Sequence, residues 1–590
     1  MRNHRVSVWI LAAVLTLAAA PVRTEDEPQS EIKPVGGLTF VDEFELTIAN
    51  LVVYVTDKQG HAVTDLTADD FEVSQDGEKK QITNFKLYTD EIIRTELQQA
   101  TSTAPLATPT PAPDPTTAAG PQPVYLVLYI DNENLEPLDR NRVLSQTREF
   151  VRTSLHPPAQ MMVVAYQRSF KVLQEFTSDP SEVLRAMREV RTYTGGRTEQ
   201  VSSRRDIVDR INRLVQDGNS GTGSGSGYSG DQSSNREWNE ISHAIDNYAR
   251  ETTNNLMFTL DSLRQVITSL SGLPGKKGII YVSNGLPMTP GMELYYELSR
   301  ATSDSSVLTK MFEFEKSRLY QQLASTANAQ DVTFYAIDAE GLSTGGIGSA
   351  EYQTSQDPLA ASVGRNNYTD SLRFLADETG GMAIINTNDV APRLELVKQD
   401  LFTYYSIGYP LQASGQDKVH KIKVTLREDP AFDGYQLRYR SRFVEKSLET
   451  RVQDAVVSSL VFEIDDNPMD VDIVTGVPAP ASEKRWLLPT HVSFPLDKVA
   501  MLPEGDDFVA RVVLFIAARD TDGKRSDLVR QEQEVRVPAD QYEAAKKQRF
   551  GIDAQLLMEA GRYKISVALL DPLTRQDSFR TVSVAVNPDK

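Results

Sequence analysis

The hydrophobic pattern of the chain is organised around one apolar run, Val124–Ile130, which leads directly into the polar turn 131–134. A run without polar alternation is typical of a strand buried on both faces, as parallel strands of α/β sheets are. Helical periodicity resumes at Leu138 and continues to about Leu155. The order of strand, acidic turn and helix predicts a functional loop, because open α/β sheets place their sites at the carboxyl ends of strands.

Apolar runs and amphipathic stretches alternate through the middle of the chain. This alternation predicts a doubly wound, mostly parallel sheet with helices on both faces. The runs 161–166 and 171–176 lie so close in sequence that they must form a hairpin, which makes 171–176 an antiparallel edge strand. The candidate strands are Val124–Ile130, Met161–Tyr166, Lys171–Phe176, Gly278–Val282, Val332–Ile337 and Met382–Ile385.

Both flanks of this region show the two-residue alternation of β-strands, with Gly- and Asp-containing turns between them. Neither flank has enough strands for a sandwich of its own. We therefore predict one β-sandwich that is built from both flanks, with the α/β domain inserted between them. Strand alternation makes Tyr404, Tyr405 and Tyr409 core and edge residues of this sandwich before it makes them a recognition surface.

The last part of the chain again has short strands separated by turns, which predicts a C-terminal antiparallel β-sandwich. The predicted fold class is thus multidomain, α/β plus all-β. The predicted segments are a signal peptide (1–20), N-terminal strands of a β-sandwich (39–95), a Pro-, Thr- and Ala-rich linker (96–122), the α/β domain (123–402), returning strands of the β-sandwich (403–448) and the C-terminal β-sandwich domain (449–590).

Composition narrows the classes of function. A chain of 590 residues is too long for a single core. The absence of cysteine excludes disulfides, thiolate metal sites and a Cys nucleophile. A formal net charge of -20 and a pI near 4.9, without a long basic cluster, argue against nucleic acid as a partner.

The first residues have the pattern of a secretory signal. Arg2 and Arg5 precede an apolar run from Val6 to Ala20, after which the chain becomes polar. This run is shorter than the ~20 apolar residues of a spanning helix, which favours a cleaved signal over an uncleaved anchor. We predict an extracytoplasmic protein of the periplasm, cell surface or medium that contacts a membrane only if this segment stays uncleaved.

Several segments carry a family resemblance. They are VVYVTDKQGHAVTDLTADDFEVSQDGEKKQI, VYLVLYIDNENL, GKKGIIYVSNGLP, TFYAIDAEGL, LADETGGMAIINTNDV and TYYSIGY, which together span about 43–440. In this order they resemble a family of exported bacterial proteins, best known from acidobacteria, that carry a von Willebrand factor A-related domain. The resemblance implies a von Willebrand factor A-like domain inserted in a β-sandwich, and it does not cover the tail beyond 450.

The resemblance also implies where a metal would bind. Domains of this type hold Mg²⁺ with an Asp-x-Ser-x-Ser turn after the first strand, a Thr from a second loop and an Asp after the fourth strand, since a hard cation prefers oxygen ligands. The matching positions here are Asp131, Glu133, Leu135, Thr198 and Asn284. One ligand has therefore become a hydrocarbon, and another has lost its charge.

This altered turn has two interpretations. In the favoured one, Asp131 and Asn132 cap the following helix and shape the turn, so that the site is a degenerate metal-ion-dependent adhesion site without a cofactor. In the alternative, Asp131 and Glu133 hold Mg²⁺ or Ca²⁺ weakly, with an amide oxygen from Asn134 or Asn284.

Two other motifs are judged by their context. Gly341-Leu342-Ser343-Thr344-Gly345 has the form of a nucleophile elbow, but a polar Gly-rich loop follows it where the motif requires a helix. A G-x-G-x-x-G match at 225–230 lies in a low-complexity segment that no buried strand precedes, so nucleotide binding is not predicted.

We therefore predict a non-enzymatic protein-binding or scaffold protein of the cell envelope, with an unidentified protein as its partner. The alternatives are an envelope hydrolase with its site on the long loops 195–236 or 339–368, and a purely structural envelope protein. The predicted binding surface consists of Asp131, Asn132, Glu133, Asn134, Thr198 and Asn284.

Overall fold

The computed structural model of the chain describes residues 46–102, 122–220, 230–342, 358–412, 415–462, 466–482, 484–521 and 523–587. The predicted signal peptide 1–20, the glycine-rich match at 225–230 except for its last residue, and Ser343 lie outside the described residues. Within the described ranges, no helix is both long and apolar enough to cross a membrane.

The described strands fall into five sheets. In chain order the strands are β1 (Leu46–Thr56), β2 (Phe71–Gln75), β3 (Glu78–Lys80), β4 (Asn84–Tyr88), β5 (Val124–Asp131), β6 (Ala159–Gln167), β7 (Ser169–Thr177), β8 (Lys276–Ser283), β9 (Val332–Asp338), β10 (Met382–Ile384), β11 (Tyr404–Gln412), β12 (Lys418–Leu426), β13 (Gln436–Arg438), β14 (Arg442–Glu445), β15 (Asp472–Thr475), β16 (Ala479–Ser482), β17 (Arg485–Pro495), β18 (Leu502–Glu504), β19 (Asp507–Asp520), β20 (Val529–Pro538), β21 (Arg549–Met558), β22 (Gly561–Asp571) and β23 (Gln576–Val586).

Most of the described α-helices lie between strands β5 and β11. The helices are α1 (Asp90–Ser102), α2 (Pro137–Ser154), α3 (Pro180–Val190), α4 (Arg197–Ser220), α5 (Gly230–Ser269), α6 (Met292–Thr302), α7 (Ser317–Ala329), α8 (Pro358–Glu378), α9 (Ala391–Phe402), α10 (Leu448–Ser459) and α11 (Tyr542–Ala545).

The central unit is a six-stranded sheet in the order β10-β9-β8-β5-β6-β7. Its strands are parallel except β7, which pairs antiparallel with β6 at the edge, as the closely spaced runs predicted. Helices cover both faces. Leu126 and Leu128 of β5 pack with α2, α3 and α9, whereas Val127 and Tyr129 pack with α5, α7 and α8. The prediction of an α/β unit with β5 at its centre is confirmed.

Two four-stranded antiparallel sheets combine strands from both flanks of this unit. Their orders are β13-β1-β11-β4 and β14-β12-β2-β3. Tyr405 and Tyr409 are buried in the apolar core between the two sheets. Tyr404 points the other way, because neighbouring side chains of a strand alternate between faces. Its ring stacks on Tyr88 at 4.9 Å between centroids and joins the core of the α/β unit, so its assignment to the sandwich core is wrong.

Helix α1 follows β4 and spans residues 90–102. The predicted boundary between the sandwich strands and the linker, at residues 95 and 96, therefore lies within this helix. Asp90 and Glu91 lie in its first turn, where negative charge stabilises a helix. Ile93 is buried against the α/β unit, and this contact holds a segment whose sequence shows little apolar periodicity.

The tail forms two further antiparallel sheets that pack face to face, together with helices α10 and α11, so the region is mostly β and not all-β as predicted. One sheet is built on β17 with β15, β16 and β21, and the other has the order β18-β19-β22-β23 with β20 beside β19. Their shared core includes Leu488, Leu514, Leu556 and Val567. Helix α10 covers the outer face of the second sheet and also contacts the end of α5.

An ion pair joins the first sandwich to the α/β unit. Arg438 of β13 donates from both terminal nitrogens to the carboxylate of Asp400 in α9, at 2.6 Å each. Asp400 is buried, and the Arg438 guanidinium also lies over the ring of Tyr54 at 5.3 Å. Removal of one partner would leave the other charge buried and uncompensated.

We expect Arg438→Met to destabilise the protein by about 3 kcal/mol in urea denaturation, because Asp400 loses its counter-charge. The double variant Asp400→Asn/Arg438→Met should recover part of this loss. Arg511→Met is the control, since it removes exposed pairs with Glu504 and Glu534 that are worth about 1 kcal/mol or less each. A loss for Arg438→Met no larger than that of the control would show that this pair does not hold the units together.

Candidate functional site

Three loops meet at the carboxyl edge of the central sheet. They are the turn 131–135 after β5, the loop 194–197 before α4, and the residues that follow β8 from position 284. The Gly196 N–H donates to the Asn132 carbonyl at 3.0 Å, and the Asn284 N–H donates to the Asn134 carbonyl at 3.3 Å. A Cβ at Gly196 would lie 2.8 Å from the Glu133 backbone, so only glycine permits this approach.

The carboxylate of Asp131 is held by donors from strand β8 and from its own turn. Its Oδ2 accepts from the Tyr281 hydroxyl at 2.5 Å and from the Ser283 hydroxyl at 3.0 Å. The Asn134 side-chain amide donates to both carboxylate oxygens at 3.0 Å, and the Asn134 N–H donates to Oδ1 at 3.4 Å. Asp131 thus caps the short 3₁₀ turn Asn132–Asn134, and not the α-helix, which begins at Pro137.

Burial dominates the electrostatics of this carboxylate. Asp131 is fully buried, and this burial raises its pKa to about 6, although hydrogen bonds from Tyr281, Asn134 and Ser283 act in the opposite direction. A buried carboxylate needs such donors, because desolvation disfavours its charge. The hydrogen bonds that the Asp131 carboxylate requires therefore fix the turn to β8.

A buried arginine fixes the second loop. The Arg140 side chain is fully buried and donates to the carbonyls of Tyr193 and Arg191 at 2.8 and 3.0 Å. It also donates to the side-chain oxygen of Asn132. The Asn132 amide nitrogen in turn donates to the Thr194 carbonyl at 2.6 Å. Asn132 therefore shapes the turn, as predicted, by joining it to the loop that precedes α4.

These side chains do not fit the magnesium site that the resemblance implies. The oxygens of Asp131 already accept hydrogen bonds from two hydroxyls and an amide. Leu135, at the position of the second serine, is fully buried in the apolar core. Thr198 belongs to α4, and its side chain lies outside the described residues. That the turn binds no metal stays a prediction, which is tested below.

Asn284 joins the third loop to α2. Its side-chain amide donates to Asp139 at 3.1 Å, and its carbonyl accepts from Arg197 at 3.4 Å. The Asn284 Oδ1 atom is buried without a hydrogen-bond partner among the described residues. The guanidinium of Arg197 also lies over the ring of Tyr368 at 5.2 Å. A cationic side chain thus occupies the space beside the position at which the family's fourth-strand aspartate would lie.

Sequence reasoning missed two further acids at this edge. Asp338 ends β9 next to Ser283, and its burial raises its pKa to about 7, with a further contribution from Glu340. Asp139, in the first turn of α2, has a pKa that burial raises to about 6. The sequence contained a signal for Asp338. This residue directly follows the apolar run 332–337, just as Asp131 directly follows the apolar run 124–130.

Exposed leucines border the same edge. Leu138, in the first turn of α2, is 83% exposed, and Leu342 after β9 is 57% exposed. Arg142 lies one turn after Leu138 and donates to Asn388 Oδ1 at 3.0 Å, which also accepts from the Leu342 N–H at 3.0 Å. The two leucines therefore lie beside one polar cluster, formed by Arg142 and Asn388. We call Leu138, Arg142 and Leu342 the leucine rim.

Comparison with protein-family models and with curated proteins gives no significant match. Among solved structures, the conserved hypothetical protein BatB from Bacteroides thetaiotaomicron is similar over 47% of this chain and 96% of its own, at 10% identity and a TM-score of 0.21. An aerotolerance-related membrane protein from Bacteroides fragilis, carrying multiple mutations to serine, covers 47% and 97%, at 11% identity and a TM-score of 0.21.

A β-glucuronidase from Bacteroides uniformis is similar over 20% of this chain and only 13% of the enzyme, at 14% identity and a TM-score of 0.14. TM-scores this low carry no argument about fold or activity.

We expect Mg²⁺ to cause no saturable rise in melting temperature, because the oxygens of Asp131 are already used by Tyr281, Ser283 and Asn134. Asp131→Ala should melt at a lower temperature both with and without Mg²⁺, since its donors lose their acceptor. A saturable rise in the wild type that Asp131→Ala abolishes would contradict this expectation.

Asp338→Asn should gain stability relative to the wild type as the pH rises from about 4 to 8. The pKa of Asp338 in the folded protein, about 7, lies above that of an unfolded aspartate, about 4. Its stabilising contribution is thus present at low pH and is lost as the pH rises through about 7. Melting curves at several pH values measure this difference. The same trend in Asp540→Asn, at an exposed position, would contradict the assignment.

Proposed function

We propose that the protein is a non-enzymatic binding or scaffold protein of the cell envelope, which contacts a partner protein through the carboxyl edge of its central sheet. The contact surface comprises Glu133, Asn134, Thr198 and the leucine rim. Asp131, Asn132 and Asn284, which the sequence also assigned to this surface, are buried beneath it. Export is supported by the basic start and the apolar run 6–20.

The exposed Leu138 is the observation that carries this proposal. A single exposed apolar residue is ordinary on a protein surface. Leu138, however, lies directly after the turn 131–135, and Leu342 lies across Arg142 from it. Apolar side chains around a fixed polar centre are what a protein interface requires, since its core excludes water and its polar groups set orientation.

The internal hydrogen bonds of the edge support binding without a metal. The carboxylate of Asp131 and the side chain of Asn132 are directed into the protein and hold the three loops in place. They act in this proposal as positioning residues. The partner then contacts a preformed surface, which lowers the entropy lost on association.

The proposal is tested by affinity capture and crosslinking from envelope extracts with three forms of the protein. Leu138→Arg should lose the captured partner, because a charged side chain in an interface core cannot be desolvated without cost. Val477→Arg, at a position that is 85% exposed in the tail, is the matched control and should capture the partner like the wild type.

The chelator EDTA should leave capture by the wild type unchanged. Capture that requires a divalent metal, or capture that Leu138→Arg leaves intact, would contradict the proposal. Self-contacts alone in all three forms would favour a purely structural role.

A further inference from the structure

A cavity of about 250 Å³ lies at the opposite edge of the central sheet, between it and the first sandwich. Strands β1, β4 and β11 line it from the sandwich side. The first residues of β5, β8 and β9 line it from the α/β side, so it lies at their amino ends, away from the leucine rim. The cavity exceeds the roughly 150 Å³ that suffices for a molecule the size of benzene.

Two consecutive lysines at the start of β8 line this cavity. The Lys276 ammonium donates to the carbonyls of Asp400 and Leu401 at 2.7 and 3.3 Å, at the carboxyl end of α9. The Lys277 ammonium donates to the Leu273 carbonyl at 2.9 Å. Consecutive strand residues point to opposite faces, so the Lys276 side chain lies on the face of Tyr54 and Tyr404 and the Lys277 side chain on the other. An ammonium has three donors, so these bonds leave one donor of Lys276 for another acceptor.

The charges around the cavity are not balanced. Asp400 is paired with Arg438, and Asp331 is paired with Arg440. In the described part of the chain, neither Lys276 nor Lys277 has a carboxylate within ion-pair distance. Burial lowers the pKa of both lysines to about 7, although the charge of Asp400 acts in the opposite direction at Lys276, as that of Asp454 does at Lys277. An anion in contact with Lys276 would supply a closer counter-charge than Asp400 does.

Aromatic rings form the other wall of the cavity. The Lys276 ammonium lies 3.8 Å from the ring centroid of Tyr404 and 5.1 Å from that of Tyr54. Tyr335 and Val52 also line the space. Such a wall suits the apolar part of a ligand, because small-molecule sites combine apolar lining with a few placed polar groups.

We propose that this cavity binds a small organic anion, with its carboxylate at Lys276 and its apolar part against Tyr54, Tyr335 and Tyr404. A ligand there contacts both the sandwich and the α/β unit. The ligand therefore links the two units at the edge opposite to the leucine rim, and its binding is independent of the proposed protein contact.

The proposal is tested by calorimetric titration of the full-length protein with benzoate, with the neutral benzamide and with inorganic phosphate, at pH 6.5. Benzoate should bind saturably with a Kd below about 1 mM. Benzamide should bind at least tenfold more weakly, because it lacks the charge. The proposal would be overturned if benzamide bound as tightly as benzoate, or if phosphate bound and benzoate did not. It would also be overturned if no probe showed saturable binding.

Variants separate the cavity from the rest of the surface. Lys276→Met should weaken benzoate at least tenfold, and Lys484→Met, at an exposed position in the tail, should leave it unchanged. Ser406→Phe fills the cavity while it keeps every charge, so it should abolish binding without lowering the melting temperature. If Ser406→Phe bound benzoate with unchanged affinity, the anion would bind elsewhere and the proposal would be wrong. This variant remains informative if Lys276→Met fails to fold.

Discussion

The carboxylate of Asp131 fixes the geometry of the edge on which the proposed function depends. It is fully buried, and hydroxyls from β8 and an amide from its own turn surround it. Because an unsolvated charge is costly without such partners, the turn cannot move without loss of these hydrogen bonds. Arg140 and Asn132 then hold the neighbouring loop to the same turn. The surface is thus preformed by internal polar contacts.

The two edges of the central sheet have opposite electrostatic character. The carboxyl edge holds the buried acids Asp131 and Asp338 and the half-buried Asp139, whose pKa values desolvation raises. The amino edge holds Lys276 and Lys277, whose pKa values burial lowers. At each edge, burial of these charged groups lowers the free energy of unfolding. Titratable groups whose pKa values are perturbed in this way occur at functional sites more often than elsewhere.

Periodicity predicted much of the fold, because its signal is local. The run 124–130 identified the central strand, and the short spacing before 171–176 identified the edge strand. The contacts of the site were not predictable in the same way, since Tyr281 and Ser283 reach Asp131 from about 150 residues away. Strand alternation alone predicts that Tyr404 and Tyr405 point to opposite faces of β11. To place Tyr404 correctly, one also had to expect that the outer face of this sheet packs on the α/β unit.

The central claim is that hydrogen bonds from the protein occupy the place of a metal at Asp131. Crystals grown with excess Mn²⁺ and measured at its absorption edge test this most directly, because anomalous scattering locates the ion without assumption. We predict no anomalous peak beside the Asp131 carboxylate, which should remain bonded to Tyr281, Ser283 and Asn134. An octahedral ion at about 2.1 Å from an Asp131 oxygen would contradict the account.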